Sequence, residues 1–404
     1  MTIFQIILTL LLVLSNGILA FITARITKLP LTLNVLLWGI VSSALVPIMG
    51  IDTGIRFDNF EHLILFVLIP ILVFEAALNI HTHLFKPLIG TILFAATFGV
   101  LVAMGISAVI LFFGIGHASG FPWIAALIAG LVISATDPVA VVSQLKEANA
   151  PHKLGTVIEG ESLFNDATAI VLFGILVAMA TGGSEPSLTG GTLLLLKVLL
   201  GGVLVGAVFA VVTKVILKLV GPNADYYVVT SLALAYGGFY VAEHVLHVSG
   251  VIAVLIATLM VKSELLALKD DGKVHGNWEM FAFIANIVVF FLMGLVVTFD
   301  MFTEQWIAML LGIVAAFVSR LVAVYFSVFV GKVIFRNDID WNFAPVMVWG
   351  GLRGVVTIAL VLALPLELPY WWTIQSIGFG VVLFTLVFQA TTNPALLKKL
   401  KLTQ

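Results

Sequence analysis

The chain has 404 residues, of which 61% are hydrophobic and only 10% charged, and its formal net charge is −2. Soluble domains average roughly 45–50% apolar and about 25% charged, so there is too little polar surface for a water-facing globular fold, and length enough for a dozen or so membrane spans of about 20 residues. With no cysteine a disulfide framework, a thiolate metal site and a Cys nucleophile are excluded, and no basic tract is long enough to suggest nucleic acid.

Hydropathy predicts thirteen spans, at roughly 2–24, 29–49, 62–80, 88–114, 121–145, 154–181, 190–219, 226–247, 249–263, 279–298, 305–331, 343–365 and 370–397. The first has no basic residue ahead of its apolar run and no small-residue cleavage site, so it reads as a retained span rather than a signal peptide. Arg25, Lys28, Lys86, Lys146, Lys153, Lys214, Lys218, Lys262, Lys269, Lys273, Lys332, Arg336, Lys398, Lys399 and Lys401 fall in every second loop or after the last span. The alternate loops carry Asp52, Asp58, Glu61, Glu185, Asp300, Glu304 and Glu367, with Arg56 as their basic residue. The positive-inside rule then puts the N-terminus outside and the C-terminus in the cytoplasm, in a cell membrane. With few residues after the last span, no soluble tail domain is expected.

Charges inside spans are functional candidates by default, and those picked out are Glu75, Asp137, Glu159, Glu161, Asp166, Arg320 and Arg353. Structural ion pairs could account for two of the acids; three remain. A buried unpaired carboxylate holds a proton unless a cation replaces it, which is what a proton-for-cation exchanger requires. The stretch SATDPVAVV, residues 134–142, places Ser134, Thr136, Asp137 and Pro138 inside the fifth span. Proline removes a backbone hydrogen bond, so the helix is expected to break there, and unwound backbone at that depth is tolerated only in protein or beside a watery cavity. The alternative is a simple proline kink.

In the sixth span Glu161 and Asn165 stand four apart on one face, and Ser162 and Asp166 form an adjacent stripe. Hard oxygen ligands of this kind suit an alkali cation rather than a transition metal. Glu75 follows Pro70 in the third span, with Asn79 one turn on. Arg320 sits mid-span in the eleventh and demands a carboxylate partner. Arg353 in the twelfth is flanked by Gly350, Gly351 and Gly354, which allow a break, with Thr357 following.

Four stretches in this order, FEAALNI, SATDPVAVVSQLKE, EGESLFNDATAIVLF and GGLRGVVTIAL, resemble signatures of the cation/proton antiporter superfamily, in its NhaP-type branch related to the animal sodium/proton exchangers. The resemblance covers essentially the whole chain. It implies an all-α polytopic fold of about thirteen transmembrane helices in a homodimer. Two inverted six-helix repeats, approximately 1–182 and 226–400, would be joined by a linking helix at 190–219, with the fifth and twelfth helices broken and crossing at mid-membrane. It implies that Asp166 carries the cation or proton, with Ser162, Glu75 and Thr136 as further ligands. Asn165 before Asp166 implies electroneutral exchange, one proton for one monovalent cation. Asp137 resembles the charged group that balances helix ends at the crossing, where Pro138, Gly354 and Thr357 mark the breaks. Glu161 and Arg320 resemble a structural ion pair, and Arg353 an arginine needed for activity. No cofactor is implied beyond the transported ions.

The expected function is therefore sodium or lithium exchange for protons, with potassium as the family alternative. A channel would not need titratable carboxylates at a broken-helix crossing. An intramembrane enzyme would need a nucleophile elbow or an HExxH helix, and neither GESLF nor EHVLH supplies one.

Overall fold

The computed structural model describes residues 3–48, 63–116, 120–182, 188–267, 271–337 and 339–403. Asp52, Arg56, Asp58, Glu61, Glu185 and Lys269, used above for orientation, lie outside these residues. The described residues form helices and no strand. In chain order these are α1 (Ile3–Thr27), α2 (Leu31–Ile48), α3 (Leu63–Asn79), α4 (Thr82–Gly114), α5 (Trp123–Val132), α6 (Val139–Glu147), α7 (His152–Ala180) and α8 (Leu188–Val220). Then follow α9 (Ala224–Tyr240), α10 (Gly250–Leu265), α11 (Asp271–Val296), α12 (Phe299–Glu304), α13 (Trp306–Val333), α14 (Phe343–Trp349), α15 (Val355–Leu362) and α16 (Trp371–Lys399).

Seven of them, α1, α4, α7, α8, α11, α13 and α16, are long and apolar enough to cross a membrane. The chain is an integral membrane protein. Each predicted span falls on a helix, and the fifth and twelfth each fall on a pair of short helices, α5 with α6 and α14 with α15. Bounds differ where helix continues past the apolar stretch: α11 begins at Asp271 with the polar run DGKVHGNWE, which a hydropathy window does not count. The six-residue α12 is too short for such a window to register. Four π turns, Leu63–Leu68, Ala95–Gly99, Val241–Val245 and Thr385–Gln389, interrupt or extend helices. Pro70 lies inside α3, directly after the first of them, where the regular helix resumes.

The chain divides into two compact units. One comprises Met1–Glu61, Leu84–Gly183 and Asn286–Gln404, the other His62–His83 and Ser184–Ala285. In the first, α13 packs on α4 and α16, α4 on α5, α7 on α5, and α15 on α16. In lipid, association depends on close packing of small residues rather than on expulsion of water. Gly130 of α5 accordingly faces Met104 O of α4, where an added Cβ would lie 2.7 Å from that oxygen. Gly39 of α2 meets Gly294 of α11 in the same way, with an added Cβ 2.9 Å from the Gly294 Cα. Ser107 of α4 donates to Ala315 O of α13 at 3.4 Å.

In the second unit α8 packs on α10. Gly202 and Gly206 rest on Ser249 O and Ala253 O, which added Cβ atoms would approach to 2.6 and 2.5 Å. Ser249 caps α10 by accepting the Ile252 N–H at 3.2 Å. Trp278 is fully buried, stacks on Phe74 of α3 with ring centroids 3.8 Å apart, and donates its indole N–H to Ser231 Oγ at 2.9 Å.

Candidate functional site

Within the first unit, α5 stops at Val132 and α6 starts at Val139. Pro138 cannot donate a backbone hydrogen bond, and it takes the N-cap position of α6. The loosened end of α5 exposes three successive carbonyls, which cannot stay bare away from water. Each has a partner from elsewhere in the unit. Ile133 O accepts from Arg353 Nε at 2.8 Å, Ser134 O from Asn165 Nδ2 at 3.2 Å, and Ala135 O from Thr357 Oγ1 at 3.2 Å.

The second break lies between α14 and α15, at Gly350–Gly354. The two breaks touch directly, because Asp137 N donates to Leu352 O at 2.8 Å. The Asp137 carboxylate then serves both restarting helices. Its Oδ1 accepts Val139 N–H of α6 at 2.9 Å and its Oδ2 accepts Val355 N–H of α15 at 3.3 Å. A carboxylate at a helix N-terminus is worth about 0.3–1 kcal/mol, and up to about 2 when partly buried; here one carboxylate meets two such ends. Gly354 has no room for a side chain, since an added Cβ would run into that carboxylate.

α7 passes alongside α5 and brings its polar stripes to the unwound segment. Thr136 Oγ1 and Ser162 Oγ lie 3.0 Å apart, and Asn165 Nδ2 also donates to Thr136 Oγ1 at 3.3 Å. Asp166 is one turn beyond Ser162 on the same face, so their Cβ atoms are about 5–6 Å apart. Its Oδ1 is buried and accepts no hydrogen bond, as is Asn165 Oδ1. A buried acceptor without a donor costs about 1–3 kcal/mol, more if charged. Among the described residues no three His, Cys, Asp or Glu side chains cluster. The oxygen set at this point is one carboxylate with hydroxyl, amide and backbone neighbours, which suits a hard monovalent cation.

Two arginines hold the surroundings. Arg320 of α13 pairs with Glu161 of α7 through both guanidinium nitrogens, Nη2 to Oε2 at 2.7 Å and Nη1 to Oε1, and donates Nε to Met347 O of α14 at 3.3 Å. Both partners are buried, at 2% exposure for Glu161 and 7% for Arg320. Among the described residues no carboxylate hydrogen-bonds the Arg353 guanidinium. Arg353 donates to the carbonyls of Ile133, Gly351 and Ala316, and its own N–H is accepted by Thr385 Oγ1 at 3.2 Å.

Glu75 falls in the second unit, on α3, where Asn79 Nδ2 donates to its Oε1. Lys197 and Glu243 also lie within predicted spans and are absent from the candidates. Lys197 is exposed on α8, and Glu243 Oε2 accepts the Gly250 N–H at the start of α10, at 2.8 Å. The contributions of Thr385 and of the Ala316 and Met347 carbonyls carry no residue-type signal.

A membrane-embedded helical protein in which two interrupted helices meet beside buried acids has the architecture of secondary transporters. The family model described as "sodium/hydrogen exchanger, transmembrane" matches residues 7–399. The chain belongs to the sodium/hydrogen exchanger family. It is 32% identical to the Na(+)/H(+) antiporter NhaH of Halobacillus dabanensis over 97% of this chain and 96% of that one. It is 33% identical to the Na(+)/H(+) antiporter ApNhaP of Aphanothece halophytica over 86% of this chain and 67% of the relative. The structure of the sodium proton antiporter MjNhaP1 from Methanocaldococcus jannaschii has the same fold, with a TM-score of 0.80, 98% of each chain covered and 20% identity.

Proposed function

We propose that this chain exchanges sodium, or its smaller analogue lithium, for protons across a cell membrane by competition of the two at Asp166. The observation that carries the reading is the Asp166 Oδ1, buried and without a hydrogen-bond donor, one turn from the Thr136–Ser162 hydroxyl pair. A proton satisfies that oxygen as a covalent O–H, a cation as a ligand; the two states exclude each other. The curated relatives named above are called Na(+)/H(+) antiporters, which supports sodium as the ion.

The charges described around the crossing support one-for-one stoichiometry. Asp137, Glu161 and Asp166 oppose Arg320 and Arg353, which leaves one negative charge, and one proton or one monovalent cation cancels it. Because Asp137 caps both α6 and α15, the two breaks travel together when the site turns from one side of the membrane to the other. The ligand set proposed within this unit is Asp166, Ser162 and Thr136, with Asn165 holding Thr136 and the Ser134 carbonyl in place. The same reading takes the chain as a homodimer of inverted repeats with its N-terminus outside, supported by the loop lysines and by the resemblance of its motifs.

The test is proton movement in proteoliposomes driven by sodium, lithium or potassium gradients. Wild type is expected to respond to sodium and lithium, with a rate independent of imposed membrane potential, and Asp166→Asn to be inactive. Normal exchange by Asp166→Asn sinks the assignment, a response to potential sinks the stoichiometry, and preference for potassium replaces the ion. Cation flux without proton counterflow would identify a channel instead.

A further inference from the structure

A groove of about 460 Å³ opens on the first unit between α13, α14 and α16. That is the size of a small-molecule site, which spans about 300–1,000 Å³. Phe317, Leu321 and Tyr325 form one wall. They are four residues apart, so they share a face of α13 and cover roughly 12 Å of it. Val348 and Trp349 of α14 and Ala395 of α16 face them. Two polar side chains of the lining, Trp349 and Thr392, are engaged within the protein. Trp349 donates its indole N–H to Thr392 Oγ1 at 2.8 Å, and Thr392 donates to Phe388 O at 2.5 Å. The body of the groove therefore presents hydrocarbon.

Among the described residues one charged side chain lines it. Lys399, in the last turn of α16, lines the groove. Lys332, in the last turn of α13, lies over the Trp341 ring with Nζ 5.5 Å from its centroid, and Trp341 stacks on the groove residue Tyr325. Lys398 and Lys401 adjoin Lys399 in sequence. Asp340, beside Trp341, accepts the Asn342 N–H at 2.9 Å, ahead of α14.

We propose that the groove holds an acyl chain of an anionic phospholipid whose phosphate pairs with Lys399 and Lys332. Hydrocarbon walls with Lys399 in the lining, and Lys332 one ring beyond Tyr325 across Trp341, match an amphiphile with an apolar tail and a negative head. A zwitterionic head would bring its own ammonium against the lysines, and a second copy of the chain would have to bury them. The tail would lie against α14, the half-helix that leads into the second break. This site is independent of which ion is transported.

The test is mass spectrometry of the intact, purified chain in detergent, titrated with phosphatidylglycerol or phosphatidylcholine of matched acyl chains. Wild type is expected to retain phosphatidylglycerol in preference. Lys399→Gln and Lys332→Gln are each expected to weaken that retention about fivefold, the effect of one lysine near an anionic surface. Both side chains lie at helix ends, so thermal unfolding serves as the folding control. Ala395→Trp, which fills the groove, is expected to lower retention of both lipids. Equal retention of the two lipids by wild type overturns the proposal, as does unchanged retention in the lysine variants. If Ala395→Trp alters the oligomeric state and leaves lipid retention intact, the groove is an interface between copies and the proposal also falls.

Discussion

Arg353, in the gap between α14 and α15, donates its Nε–H to the carbonyl of Ile133, at the end of α5, over 2.8 Å. The guanidinium of one broken helix thus closes the open end of the other. Truncation to Ala takes the guanidinium donor from the carbonyls of Ile133 and Gly351, at about 1–3 kcal/mol for each that finds no new donor, while Ala316 O keeps the Ser319 hydroxyl. Arg353→Ala is expected to unfold earlier in thermal scans in detergent and to lose exchange. Arg353→Lys should recover little of either, because an ammonium cannot reproduce the planar fork that serves three carbonyls at once. Full recovery by lysine would show that charge alone matters at this position.

The Glu161–Arg320 pair makes a different prediction. Glu161→Gln leaves a buried guanidinium without its counter-charge, and breaking such a pair from one side costs about 3–5 kcal/mol. Replacing both partners by apolar residues of similar size, Glu161→Leu with Arg320→Met, is expected to be milder than either single change. Strictly additive losses in a double-mutant cycle of thermal stability would refute direct coupling.

At Gly354 the expectation is steric. Even a methyl group there occupies the space of the Asp137 carboxylate, so Gly354→Ala should displace that carboxylate from one of its two helix ends and abolish transport. Asp137→Gly, which removes the Cβ together with the carboxylate, is expected to restore part of the folding stability in the Gly354→Ala background. No such rescue in unfolding measurements would place the strain elsewhere.

Two glycines should respond with opposite signs. Gly206 meets Ala253 O, and Gly206→Ala overpacks the α8–α10 contact, at about 1–3 kcal/mol. Gly174 of α7 has open space where its Cβ would be, and Gly174→Ala should stabilise the helix by about 0.5–1 kcal/mol. Unfolding temperatures of the two variants, measured side by side, check the contrast.

The positions of the spans were legible because a membrane sets helix length and hydropathy reads it. Both breaks were legible for local reasons: Pro138 cannot donate, and Gly350, Gly351 and Gly354 relax the backbone. The demand of Arg320 for an acid followed from charge alone, and the structure supplies Glu161. The partners of Arg353 were not legible, since three of them are main-chain carbonyls, which every residue type offers. Thr385 looks in sequence like any threonine of an apolar helix, and only the approach of α16 gives it the Arg353 N–H. That one Asp137 carboxylate reaches two helix starts depends on the angle at which the breaks meet, a three-dimensional fact.

The π turn at Thr385–Gln389 has a bearing on comparison with relatives. Such a turn accommodates one residue more than the regular helix around it and leaves the flanking faces in phase with their neighbours. A homologue lacking the turn would be a single residue shorter in the middle of a membrane helix. In alignments of this family, a one-residue gap opposite Thr385–Gln389 would therefore be a structural landmark, with Gln144 still meeting Asn393 beyond it. An alignment forced through without the gap would pair every residue from there to Lys399 with the wrong counterpart.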